Sequence, residues 1–530
     1  MPTRLLDLGE DDQCLIQLFE VVEPLADVQY VALSYCWGTE QNIKTTVENY
    51  KTMQSGISAS VLPRVILDAV RYTRALGLRF LWVDALCIIQ DDHVDWRKVS
   101  VTMADIYANA LLTLAAECSS STSQGFIERP SGFQDIPQEE FNDLIPCDDG
   151  AHIQVHARAL PMYTQIDGQL PTPRSTWSSR GWTLQEKLLS TRLLSFGHEL
   201  EWVCQEGVVR ESGCPQIGKT VQLNGVLGRR SPESRQEAFD LWHSIVEDYC
   251  KRSLTNCMDI LPAISGLAKT MNECLDSPYL AGIWKNNFSK DILWRTTSLY
   301  LRDAAQPTVY LAPSFSWASI GGPISYGMGI HDIYSEYVSV ATLSDSEVSP
   351  LGDDLFGQVH DGRLTLRGYL IKTSLVWKPK DYTPYSISLK YELMPLSSEL
   401  TIDTALQATD NIRPHRTSSL TCCRLYTQTA YSRYSRRHYD GLNDWLKKLL
   451  YPEDFVAPVD CWLLYVGYYR ERYNKARHVF LVLGKSPRVR NAYERIGLFY
   501  LFVGTRSAHL QKWGRFTNSN FSYPVDVLIV

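Results

Sequence analysis

The sequence predicts an α/β protein with a mostly parallel sheet flanked by helices, followed by an α+β C-terminal region. Three observations predict it. The strand-like segments YVALSY, RFLWVDALCII and LLTLAAE alternate with helical patterns, and such βαβ alternation implies right-handed crossovers between parallel strands. These segments are apolar at nearly every position, as strands covered on both faces require. After Cys204 the order changes to helical patterns followed by strands.

Taken in order, CLIQLFEVVEPL supplies a lead strand or two, and YVALSY is a buried strand bounded by the polar TEQN run. In LPRVILDAVRYTRALG, residues Leu62, Ile66, Ala69, Val70, Thr73 and Leu76 fall at helical spacing, with Pro63 in the first turn and Gly77 at the cap. RFLWVDALCII reads as the next strand, with Asp84 inside it or at its end. DWRKVSVTMADIYANA places Val99, Met103, Ile106 and Ala110 on one helical face and leads into LLTLAAE. A Ser- and Pro-rich stretch over 119–173 is loop-like apart from HIQVHARAL, a candidate strand, and GWTLQEKLLSTRLL follows as a helix. LWHSIVEDYCKR and MDILPAISGLAKTMN read as helices, then FSWASIGG, GRLTLRGYLIKTSLVW, CWLLYVGYY and HVFLVLG as strands.

Length enforces the division, because 530 residues exceed one core of ordinary size. The expected organisation is a first domain over 1–215 with lead strands, a linker over 216–236 and a second region over 237–530. A loop or disordered insertion falls near 401–437. With 59 acidic against 52 basic residues, the net charge of -7 argues against general nucleic-acid binding. Thirteen cysteines without a CxxC pair fit reduced thiols and a cytoplasmic setting rather than a disulfide framework. Asp7, Glu10, Asp11 and Asp12 interrupt any signal-like apolar run, and no window is apolar enough to span a bilayer. Neither a membrane nor a nucleic acid is an expected partner.

The sequence carries no phosphate loop, no Gly-x-Ser-x-Gly elbow and no HExxH pair. His152 and His156 share one side of a strand and read as plain surface or core histidines, so a metal is not expected. SRYSRRHYDG mixes arginines with tyrosines and reads as a solvated loop. Glu186 stands four positions after Trp182, which puts an aromatic ring beside a carboxylate on one helical face and would suit a cationic ring. Thr183 and Glu186 equally fit a capping box, in which the glutamate serves backbone donors. Trp202 and Glu206 repeat the spacing, so spacing leaves both readings open.

Four long blocks carry more. YVALSYCWG, FLWVDALCIIQDD with Asp95-Trp96 after it, MADIYANALLTLAAE and SRGWTLQEKLLSTRLLSFG followed by EWVCQE resemble, in order, the blocks of the HET (heterokaryon incompatibility) domain family of filamentous fungi. That family is implicated in nonself recognition and in the cell death following fusion of incompatible cells. YLAGIW, DILW, APSFSWASIGG and YERIGLF are similar to segments that follow such domains, with no role assigned. More distantly the first domain is similar to TIR domains, which implies a TIR-like (flavodoxin-like) sheet and, for some members, NAD hydrolysis by an NAD+ nucleosidase. On that resemblance Glu186 matches the catalytic glutamate and Trp182 its partner, while Ser34 and Tyr35 lie beside the nucleotide. Trp182, Tyr35 or Trp37 would stack on a ring, and Asp84 would orient ribose or pair with a neighbouring donor. No cofactor is implied, since NAD would be the substrate. Self-association or a protein activator is the implied partner. The competing expectation is a non-enzymatic signalling module with Glu186 as a helix cap.

Overall fold

The computed structural model describes the chain apart from residues 10–14, 22–27, 39–42, 129–137, 140–143, 147–151, 155–156, 159–173, 198, 212–222, 224–231, 298–308, 321, 327–335, 378–384, 389–397, 403–405, 408–420, 423–458, 471–474, 504–513, 515, 518–520 and 522. The chain forms two compact units, Met1–Gly225 and Val226–Val530.

The first unit is α/β. Its sheet has nine strands, β1 (Arg4–Asp7), β2 (Leu15–Glu20), β3 (Tyr30–Ser34), β4 (Ile57–Ser58), β5 (Phe80–Trp82), β6 (Leu112–Ala115), β7 (Arg192–Phe196), β8 (Leu200–Cys204) and β9 (Gly207–Arg210), in the order β9-β8-β7-β6-β3-β5-β1-β2-β4. The helices are α1 (Tyr50–Ser55), α2 (Arg64–Ala75), α3 (Asp84–Cys87), α4 (His93–Asn109) and α5 (Thr183–Leu189). Only the central strands β5, β3, β6 and β7 pair in parallel. Antiparallel strands extend both flanks. The sheet is therefore mixed, which corrects the expectation of a mostly parallel one: short hairpins add β1, β2, β8 and β9 without needing crossover helices.

The two innermost strands, β3 and β6, are short and completely buried, as the apolar runs require. In α2, Val65, Ile66, Ala69 and Val70 face the core. Gly77, at φ +72, closes the helix through its amide to the Arg74 carbonyl. Asp92 begins α4 by accepting the amides of Val94 and Asp95.

Three segments differ from their sequence patterns. RFLWVDALCII is a strand only to Trp82 and then makes the single helical turn α3, because a run buried on every side fits either geometry. GWTLQEKLLSTRLL divides into α5 and β7. Ser190 leaves helical geometry and donates to the Glu186 carbonyl and to Thr113 of β6, which turns the chain into the sheet. FSWASIGG is not a strand. It folds as a 3-10 turn over Trp317–Ser319, capped by the Ser316 hydroxyl.

The second unit places α6 (Pro232–Tyr249) and α7 (Pro262–Leu275) before a sheet whose long strands are Val359–Trp377, Val459–Arg470, Ala476–Lys485 and Tyr493–Val503. Val359–Trp377 pairs with both Val459–Arg470 and Val525–Ile529, and Tyr493 pairs with Ile529, so five strands close a ring. Before it, the C-terminal motif segments interlock. Gly282 of YLAGIW accepts the indoles of Trp242 and Trp317 at 3.0 and 2.9 Å. At φ +106, a Cβ on Gly282 would come within 2.6 Å of the Trp317 ring, so only glycine fits. Asp291 of DILW, fully buried, accepts the Trp284 amide, His243 and Asn287, each at 2.6 Å. These segments form packed core in this unit.

His152 lies in a strand, His152–Gln154, paired with Leu144–Pro146, while His156 and the SRYSRRHYDG loop are outside the described residues. Most of the expected insertion near 401–437 is also outside them. Among the described residues no helix is long and apolar enough to cross a membrane.

Candidate functional site

The chain leaves β3 through α2 to reach β5 on one side, then returns through α4 to β6 on the other. Neighbouring crossovers that diverge in this way open a crevice at the carboxyl ends of the strands between them. Ser34, the last residue of β3 and 1% exposed, lies on that edge opposite Ala115 of β6. Asp84 stands two residues beyond the end of β5, and α5 carries Glu186 in the segment between β6 and β7. Three loops and one short helix thus bring together residues 152 positions apart in sequence.

The hydroxyl of Ser34 donates to Glu186 Oε2. The same hydroxyl accepts the indole N–H of Trp177 at 2.7 Å. The Trp37 indole donates to Asp84 Oδ2 at 2.9 Å, and Asp84 Oδ1 accepts the Ala85 amide at 2.7 Å. Arg180 donates through Nη1 to the Tyr35 carbonyl at 2.6 Å. Burial works to lower the pKa of its guanidinium, but the neighbouring Glu186, Cys36 and Asp84 side chains outweigh that and raise it.

Glu186 keeps some solvent contact, yet protein atoms crowd its carboxyl. Burial pushes that carboxyl up to about 7, and the Asp84 charge adds to the rise, while Ser34, Arg180 and Tyr107 draw it down. Asp84 is raised as well, chiefly by burial, against the pull of Arg180 and the Trp37 indole. A carboxyl titrating near neutrality in a half-open crevice, next to a second carboxyl and a guanidinium, is the arrangement in which acid–base or charge-stabilising chemistry is done.

All six residues singled out from the sequence fall in this region, in different roles. Glu186, Asp84, Trp37 and Trp182 are partly exposed. Trp182 meets Trp96 edge to face, with ring centroids 6.5 Å apart. Ser34 spends its hydroxyl on Glu186 and Trp177 rather than facing a ligand. Tyr35 is 4% exposed, with its hydroxyl turned to Asp84, so it belongs to the core and is no stacking platform.

The capping-box geometry is absent. Trp182 occupies the N-cap with no side-chain cap, and the Thr183 hydroxyl donates to the carbonyls of Trp177 and Arg180 at 2.8 and 2.9 Å. Thr183 therefore clamps the preceding turn onto α5, leaving the Glu186 carboxylate free to meet Ser34. Sequence reasoning missed Trp177, Arg180 and Tyr107. Their signal was faint: Arg180 immediately precedes Gly181 and Trp182 in the RGWTLQE block, and Tyr107 lies within MADIYANA. Glu117, beyond β6, is engaged by the hydroxyls of Ser175 and Ser195 at 2.9 and 2.7 Å.

Among the described residues no group of three or more His, Cys, Asp or Glu could hold a metal ion. Neither the curated proteins nor the solved structures contain a match to the chain. Residues 30–186 match the family described as Heterokaryon incompatibility protein (HET), a span running from the first residue of β3 to Glu186 itself, so it is the N-terminal unit that carries the likeness to this family.

Proposed function

We propose that the HET domain is a TIR-like glycohydrolase that cleaves NAD or a related nucleotide, with Glu186 as its catalytic carboxylate. The observation that carries this reading is the placement of Glu186, paired with Ser34 at the carboxyl end of β3 and partly open to solvent. Supporting it, the parallel strands run in the order β5-β3-β6-β7, which is second, first, third, fourth along the chain. The same order opens the flavodoxin-like arrangement, whose ligand crevice lies beside the first strand, and this supports the reading.

In the reaction, the bond between ribose C1′ and the nicotinamide nitrogen breaks and water supplies the new C1′–O bond, giving ADP-ribose, nicotinamide and a proton. Nicotinamide leaves as a neutral base from a cationic ring, so no general acid is needed. Glu186 stabilises the oxocarbenium-like transition state by charge and by bonding a ribose hydroxyl, then takes the proton from water. Asp84 orients the ribose, and Trp37 and Trp182 offer rings to the base. In the cell this activity would serve nonself recognition and programmed cell death, released by self-association or a protein activator.

The test is nicotinamide release from NAD by the full chain at a concentration permitting self-association, comparing wild type with Glu186→Gln and Glu206→Gln. Glu206 is exposed in the turn before β9 and serves as the control. Release abolished in Glu186→Gln alone supports the reading. Release that survives in Glu186→Gln sinks it.

A further inference from the structure

We propose that Trp177, Ser34 and Glu186 form a hydrogen-bond relay that aims the Ser34 hydroxyl proton at the Glu186 carboxylate, which makes Ser34 and Trp177 positioning residues for it. The argument comes from donor and acceptor counts. An indole N–H can only donate, so its 2.7 Å bond to Ser34 Oγ occupies a lone pair of that oxygen. The hydroxyl then has one proton left to give, and its partner is Glu186 Oε2. With the indole held on one lone pair, the serine proton is directed at the carboxylate whenever Glu186 is ionised. A protonated Glu186 would have to donate to the remaining lone pair of Ser34 Oγ and turn the serine proton away from Oε2, so the arrangement seen here favours the ionised form.

The relay is rigidly mounted. Ser34 and Trp177 are each 1% exposed. Trp177 packs with Cys36, Ala115 and Leu193. Its carbonyl accepts both the Thr183 hydroxyl at 2.8 Å and the Arg180 amide at 3.1 Å, which fixes the Trp177 backbone against the start of α5. The other groups facing Glu186 are Arg180 from the preceding turn, Asp84 from α3, Tyr107 from α4 and Cys36 after β3. Of these, Arg180 and Tyr107 favour the charged carboxylate and Asp84 opposes it. Desolvation favours protonation of Glu186; the relay works against that tendency with a neutral donor mounted by Trp177.

The relay rests on the glycohydrolase reading only for its consequence in turnover, and its own test needs none. In the full chain labelled with 13C at glutamate carboxyls, the Glu186 resonance is identified by its loss in Glu186→Gln and followed through a pH titration. Ser34→Ala and Trp177→Phe are each expected to raise its midpoint, by about one pH unit for Ser34→Ala. Nicotinamide release should show an acid limb displaced in the same direction. Ser34→Ala removes one oxygen and decides the question alone should Trp177→Phe fail to fold. An unchanged Glu186 midpoint in Ser34→Ala overturns the relay, even where turnover falls. A displaced midpoint in a protein that releases no nicotinamide supports the relay and overturns the glycohydrolase reading instead.

Discussion

Trp37 and Asp84, 47 residues apart, are joined by an indole-to-carboxylate bond of 2.9 Å that ties the turn after β3 to the start of α3. Both residues lie at the carboxyl edge of the sheet and both keep partial contact with solvent. The bond helps orient Asp84 and satisfies the Trp37 indole N–H.

Replacing Trp37 by Phe keeps an aromatic ring and removes that donor. With one of its charge-stabilising partners gone, the Asp84 carboxyl is expected to rise further above its ordinary range, the direction in which burial already drives it. If Asp84 orients ribose, KM for NAD should increase roughly tenfold, corresponding to about 1.4 kcal/mol, with a smaller change in kcat. Steady-state kinetics of nicotinamide release decide it, and an unchanged KM would remove Asp84 from the binding site.

Glu186 also makes a prediction about stability that is independent of turnover. Its folded carboxyl titrates at about 7, against about 4.3 in an unfolded chain. The folded state thus binds this proton more tightly. The resulting stability is fully present below the unfolded value and is lost as pH rises through 7. Asp84, also raised, has the same sign. Glu186→Gln, uncharged at every pH, should therefore stabilise the first unit by about 1–2 kcal/mol at pH 8 and by less than about 0.5 kcal/mol near pH 4, after allowance for partial solvent screening. Urea midpoints at the two pH values test this, and a difference that does not vary with pH would contradict it.

Arg4 and Asp95 brace the site from behind. Arg4, 5% exposed, pairs with Asp95 and donates through Nε to the Cys87 carbonyl at 2.8 Å, while Asp95 also accepts the Ile89 amide at 2.9 Å. Together they fix the turn from α3 to α4. Asp95→Ala leaves a buried guanidinium without its counter-charge and is expected to cost about 3–5 kcal/mol, whereas Arg4→Met with Asp95→Leu should cost appreciably less. Equilibrium unfolding of the three chains measures this. Equal losses in the single and double variants would show that geometry, not charge, is what the pair supplies.

Three of the four parallel strands of the first unit, β3, β5 and β6, were legible from local signatures, whereas β7 was read as the end of a helix. Buried β3 and β6 are continuous apolar runs, and α2 has a clean apolar face ending at Gly77. Illegible were the features set by distant partners. The Trp177–Ser34 and Arg180–Tyr35 bonds span 143 and 145 residues, and nothing in the local spacing of a Ser-rich segment announces them. The capping-box pattern at Thr183 and Glu186 was a locally sound expectation that lost to tertiary partners. Thr183 found two carbonyls and Glu186 found Ser34. The same holds in the second unit, where FSWASIGG has strand composition but turns because Ser316 caps it and Trp317 must reach Gly282.

Arg495, in YERIGLF, offers the sharpest test of how the C-terminal motif segments cooperate. Only 2% exposed, it donates to the carbonyls of Ile292 and Trp294, and its guanidinium lies 3.6 Å from the centroid of the Trp294 ring. Its amide meanwhile donates to Ser314 Oγ at 2.9 Å. One side chain thus joins DILW to the strand carrying YERIGLF, and its backbone joins both to APSFSWASIGG. A lysine retains the charge but lacks the planar fork that reaches two carbonyls while stacking on an indole. Arg495→Lys should therefore destabilise the second unit by about 2–4 kcal/mol, combining lost hydrogen bonds to a charged group with a lost cation–π contact. Urea unfolding followed through tryptophan fluorescence provides the measurement. A lysine variant as stable as the wild type would mean that charge alone holds these segments together and that the stacked geometry contributes nothing.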